Sequence, residues 1–165
     1  MGLSEDQERV ALQERELRLP GLDARFAWEL GVRIRTMAEE RGQSVVIDVR
    51  RFGQPLFYCA LEGTTPDHPE WVRRKSNVVA RFHRSSYAVG MKMRAKKETL
   101  AEQQGLPLAD YATDGGSFPL AVEGAGVVGC ATVSGLPERA DHELVVEALC
   151  AVLERDYAAL KLAAE

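Results

Sequence analysis

No run of apolar residues in this 165-residue chain approaches the ~20 that a bilayer span requires, so no membrane-spanning helix is expected. The opening Met1-Gly2-Leu3-Ser4-Glu5-Asp6 is polar and acidic, unlike a secretory signal peptide. Cysteine is scarce. Cys59, Cys130 and Cys150 are odd in number and far apart, which argues against a disulfide framework or a metal-ligand cluster. They read as small buried hydrophobes in a reducing cytoplasm. The chain has no C-x-x-C-H haem-attachment sequence and no serine in a G-x-S-x-G context. It also lacks a helix-turn-helix, RRM or zinc pattern, and its net charge is −4, so nucleic acid is not an expected partner. Repeats, low-complexity segments and linkers are missing. What remains is one soluble domain spanning 1–165, 45% hydrophobic and 28% charged, long enough to bury roughly 70% of its unfolded surface.

Against that ordinary background one block stands out. Trp71 to Lys97 holds nine Lys/Arg and no Asp or Glu, leaving 12 Lys/Arg against 25 Asp/Glu elsewhere, a net of −13. Such a split predicts a basic face or groove on an acidic body. At its centre lies Arg81-Phe82-His83-Arg84-Ser85-Ser86.

Ser4 to Leu17 reads as a helix with few apolar positions, so residues 1–20 are expected to pack at the periphery or against a partner. Asp23 can cap a second helix running to Arg41, with Phe26, Leu30, Ile34, Met37 and Ala38 as its apolar stripe and Gly42 as its stop. Val45–Val49 and Leu56–Leu61, joined through Gly53-Gln54-Pro55, predict a hairpin. A third helix begins near Pro69. After Ser85-Ser86, Tyr87, Val89, Met91 and Met93 alternate as in a strand, while the Met, Lys, Arg and Ala content favours a helix. A short helix over Thr99–Gln104 precedes a second hairpin, Phe118–Val122 with Val127–Val133. A closing helix presents Leu144, Val145, Ala148, Leu149, Val152 and Leu153. This order predicts an α+β fold with an antiparallel sheet flanked by helices.

Gly124-Ala125-Gly126-Val127-Val128-Gly129 matches G-x-G-x-x-G, but a strand follows it where a dinucleotide site needs a helix, so it reads as a hairpin turn. His83 is a candidate ligand or base, and Arg81, Arg84 and Arg74 with the Ser85 and Ser86 hydroxyls suit an anionic small molecule. The competing role for the serines is helix capping, and for the arginines pairing with acidic neighbours. Asp141-His142-Glu143 sits in the first turns of the last helix, where carboxylates suit the dipole. Joined with His83 it would make a metal site, yet no sequence feature brings the two together. His68 reads as a loop or capping residue. Asp48, followed by Arg50-Arg51, interrupts an apolar strand and is expected to pair with an arginine.

Val127–Gly135, with its V-S-G turn and following helix, resembles the haem-degrading-domain family of GlcG/HbpS-like proteins. Asp48–Phe57, Trp71–Lys75 and Arg81–Ser86 resemble its largely uncharacterised branch. The resemblance runs from about Phe26 to Leu153. It implies a profilin-like three-layer α/β/α fold with an antiparallel five-stranded sheet and helices on both faces. It implies homo-oligomers, often rings, and makes haem a possible cofactor, with His83 the best-placed ligand and the adjoining arginines suited to propionates.

Three readings follow. The leading one is a cytoplasmic small-ligand-binding domain resembling haem-binding and haem-degrading proteins. The second is a non-enzymatic homo-oligomeric scaffold for a protein partner, suggested by the acidic N-terminal helix. The third is a hydrolase or lyase using His83 with Ser85 or Ser86. No catalytic residue or metal ligand is assigned.

Overall fold

A computed structural model describes residues 2–165. Helix α1 (Leu3–Glu16) leads into a two-residue strand β1 (Arg18–Leu19), then α2 (Ala24–Glu40). The Asp23 carboxylate accepts the Phe26 N–H at 2.8 Å and starts α2, whose stripe Ala27, Leu30, Ile34 and Ala38 is fully buried. Strands β2 (Val46–Arg51) and β3 (Gln54–Ala60) form the first hairpin. Helices α3 (Asp67–Phe82), α4 (Ser86–Lys96) and α5 (Leu100–Gln104) follow, then β4 (Ser117–Val122), β5 (Gly126–Ser134), α6 (Glu138–Val152) and α7 (Tyr157–Leu160). The segment after Ser86 is thus helical, and Gly124 and Gly126 take positive φ in the β4–β5 turn.

The sheet order is β1-β4-β5-β2-β3. It is mixed, which corrects the expectation of a purely antiparallel sheet. Arg18 and Leu19 run parallel to Ala121 and Val122, while the other pairs are antiparallel. Two residues are too few to carry a period-two signal, and Pro20-Gly21 masks them as a helix end.

The pleat gives the sheet two unlike faces. On one, Ile47, Val49, Phe118, Leu120, Ala131 and Val133 pack with α2 and α6 in the main core. Gly31 is part of that closeness: a Cβ there would lie 2.3 Å from the Phe57 ring. The other face carries Asp48, Ser117, Cys130, Thr132 and Ser134, all buried, and is covered by α3. Helix α1 lies outside the main core. Its Val10 joins Tyr87, Ala88, Met91 and Leu162 in a smaller cluster with α4 and the C-terminal tail. Among the described residues no helix is long and apolar enough to cross a membrane.

Candidate functional site

Helix α3 buries Val72, Lys75, Ser76 and Val79, a stripe at helical spacing that should be apolar throughout. The two exceptions meet the polar face of the sheet. Ser76 Oγ lies 3.1 Å from Thr132 Oγ1, which donates to Ser117 Oγ at 2.8 Å. The Ser117 N–H donates to Ser86 Oγ at 3.1 Å. Lys75 is only 3% exposed, and its ammonium donates to Asp141 Oδ2 at 3.0 Å and to the Val133 carbonyl at 3.2 Å. Asp141, in the first turn of α6, is equally buried, and its Oδ1 accepts the Leu136 N–H at 2.9 Å. Burial pushes the Asp141 carboxyl up to about 6, against the opposing pull of Lys75.

This ion pair lies at the floor of a cleft of about 260 Å³ between the N-terminal half of α3, the loop at Asp114, the end of β5 and the start of α6. Gly116 lets the chain entering β4 pack closely behind this pair: its φ is +141°, and a Cβ there would meet the Val133 oxygen and lie 2.8 Å from Lys75 Nζ. Trp71, one helical turn before Lys75, forms part of the wall and donates its indole N–H to Asp67 Oδ2 at 3.1 Å. His68 Nδ1 accepts the Thr65 N–H at 3.0 Å. Glu138 accepts the Gly115 N–H at 3.1 Å and pairs with Arg94 at 3.3 Å.

The residues singled out by sequence divide between two places. Arg74 lies beside the Trp71 wall of the cleft and is not among the residues lining it. Its Nε donates to the Leu108 carbonyl at 2.9 Å and its guanidinium lies 4.6 Å from the Trp71 ring centroid. The others sit at the α3–α4 corner. His83 ends α3 in the left-handed conformation, φ 55°, and its exposed ring lies parallel to Phe52 at 5.9 Å. Arg81 is exposed, and Arg84 pairs with Glu14 of α1. Ser85 Oγ caps α4 by accepting the Ala88 N–H at 3.0 Å, and Ser86 is buried against β4. Arg73 pairs with Glu70 and Asp110. The basic block is therefore not one groove. Arg73, Lys75, Arg84 and Arg94 are answered by carboxylates from several elements.

Asp141-His142-Glu143 is likewise divided. His142 is fully buried; its Nε2 lies 2.7 Å from Gln13 Oε1, and Nδ1 has no partner among the described residues. Glu143 accepts the Leu162 N–H and the Gln13 amide. Asp48 pairs with Arg50, two residues on, at 2.7 and 2.8 Å. Among the described residues no three His, Cys, Asp or Glu side chains gather as a metal would need.

The model of the haem degrading protein HbpS-like family matches residues 22–150. The chain belongs to that family. A UPF0303 protein of Acidobacterium capsulatum is 60% identical over 162 residues, 98% of either chain. The crystal structure of the Ybr137w protein superposes with a TM-score of 0.85 at 26% identity, covering 93% of this chain and 92% of that one. A PduOC:heme complex superposes at 0.68 with 14% identity, over 79% and 94%. At that identity it speaks for the fold alone.

Haem is a poor match for the cleft. The volume falls below the roughly 300–1,000 Å³ usual for drug-sized ligands. Asp67, Asp114 and Glu138 at the rim oppose propionates. The α3–α4 corner has suitable donor types, an exposed imidazole between two arginines, on an open surface.

Proposed function

We propose that this protein is a small-ligand-binding domain whose ligand sits in the cleft over Lys75 and Asp141. The observation that carries the reading is the buried ion pair at the floor of an open cleft. Such pairs are weak contributors to stability, because desolvation of two charges offsets their attraction. A charge pair beside an accessible cavity is an arrangement suited to recognition. The test is amide and side-chain chemical-shift mapping of the intact protein with 4-aminobutyrate as probe. Shifts centred on Trp71, Gly116 and Gly135 support the reading. Shifts absent from these positions with 4-aminobutyrate, butylamine and butyrate alike, each at millimolar concentration, overturn it.

A second reading rests on His83. Its exposed ring, stacked on Phe52 between Arg81 and Arg84, suits an anionic ligand, and the family makes haem the probe to use. A Soret shift on haem titration, weakened by ~1–3 kcal/mol in His83→Ala, is the expected result. An unchanged titration in that variant removes the corner. We also propose a homo-oligomer, supported by the exposed Trp28, Tyr58 and Leu108. Light scattering at the monomer mass of 18.2 kDa would refute it.

A further inference from the structure

We infer that the cleft takes a small organic amine bearing a hydrogen-bond acceptor, with the ammonium at the rim between Asp67 and Asp114 and the acceptor on Lys75 at the floor. This deepens the proposal that the cleft is the ligand site and depends on it.

The charges lining the cleft decide the sign. Lys75 is answered by Asp141, and Glu138 by Arg94. Asp67 receives only a neutral indole N–H, and Asp114 is exposed with no ion pair among the described residues. His68 Nδ1 is engaged by the Thr65 backbone N–H. Two carboxylates without an ion pair therefore line the mouth, beside Trp71, on whose ring the Arg74 guanidinium already rests. An organic cation is favoured there and an anion is opposed.

The floor has the opposite need. An ammonium has three N–H donors, and the structure gives Lys75 two acceptors, Asp141 Oδ2 and the Val133 carbonyl. One donor remains. Lys75 lines the cleft, while the chain at Gly116 packs against the other side of the ammonium, where a Cβ would stand 2.8 Å from Nζ. A carbonyl or carboxylate oxygen completes that set. The volume of 260 Å³ admits only a compact molecule.

Three four-carbon probes separate these elements: 4-aminobutyrate, butylamine and butyrate. Affinities are read from shifts of the Trp71 and Gly116 resonances. The expected order is 4-aminobutyrate, then butylamine, then butyrate. Asp114→Asn, at an exposed side chain, is expected to weaken both amines about two- to five-fold, the worth of a solvent-exposed ion pair, and to leave butyrate no weaker. Butyrate binding the cleft as tightly as butylamine, or amine affinities indifferent to Asp114→Asn, overturns the inference while leaving the cleft as a ligand site. Failure of all three probes to move the cleft resonances removes the ligand-site reading itself, and this inference with it.

Discussion

The two faces of the β-sheet are built on different physics. Ile47, Val49, Phe118, Leu120, Ala131 and Val133 meet α2 and α6 mainly through apolar contact. One residue along in each strand, Thr132 bonds Ser76 of α3 and Ser117, Asp48 pairs with Arg50 of its own strand, and Ser134 is buried on the same face. Apolar burial is non-directional and degrades gradually as atoms are removed. A buried polar network is close to neutral when complete and costly when one member is lost. The comparison teaches that the α2/α6 face holds the molecule together, while the α3 face keeps charged groups in place beside a cleft. It also predicts where damage is worst.

The largest effect should come from splitting the floor pair. Asp141→Ala leaves the Lys75 ammonium buried and unanswered, and frees the Leu136 N–H as well. A loss of about 3–5 kcal/mol is expected from urea unfolding at pH 7. A loss under 1 kcal/mol would mean that water reaches Lys75 freely.

Next comes a titratable residue packed against the apolar face. His142 touches Phe118 and Tyr87. Burial, with Arg139 nearby, pushes its imidazole down to about 3 from the ordinary 6.5. The unfolded chain takes up a proton that the folded chain refuses. Its contribution to stability is therefore complete above pH 6.5 and falls away toward pH 3, on the order of 4 kcal/mol in all. Asp141 acts in the reverse sense between 3.8 and about 6, because its carboxyl is raised, so it cancels part of the loss. Thermal unfolding between pH 7 and 4 should show the fall in the native protein and a flatter profile in His142→Gln. Equal slopes would remove His142 as the cause.

A smaller effect is expected at the apolar face itself. Ile47→Val removes one methylene from a fully buried side chain. It should lower stability by about 0.5–1.5 kcal/mol with no change in probe binding. The smallest lies at the α3–α4 corner. Arg84 is half exposed in its pair with Glu14, so Arg84→Ala should cost less than about 1 kcal/mol in the same unfolding assay.

Sequence reasoning reached the elements whose signals are local. Asp23 and the stripe Phe26, Leu30, Ile34, Met37, Ala38 declare α2 within 16 residues, and Leu30, Ile34 and Ala38 of that stripe are fully buried. Both hairpins are announced by their turns. Strand β1 escapes because its pairing partner, Ala121-Val122, lies a hundred residues away and its two residues have no period. The basic block misleads for a related reason. Its charge is a property of the segment, but the partners come from elsewhere: Glu14 for Arg84, Asp110 for Arg73, Asp141 for Lys75. The last pair, 66 residues apart, carries no local mark at Asp141. At Lys75 a mark does exist. A lysine in the stripe Val72, Lys75, Ser76, Val79 breaks helical patterning where α3 meets the sheet, and a buried partner is the physical remedy.

The central claim is that Lys75 and Asp141 are held on the polar face for recognition more than for stability. The double variant Lys75→Met/Asp141→Leu tests it most directly, with unfolding free energy and 4-aminobutyrate binding measured on the same sample. The account predicts stability within about 1–2 kcal/mol of the native protein and no probe-induced shifts at Trp71 or Gly116. A variant that binds 4-aminobutyrate in the cleft as well as the native protein does, or one destabilised as severely as Asp141→Ala, would contradict it.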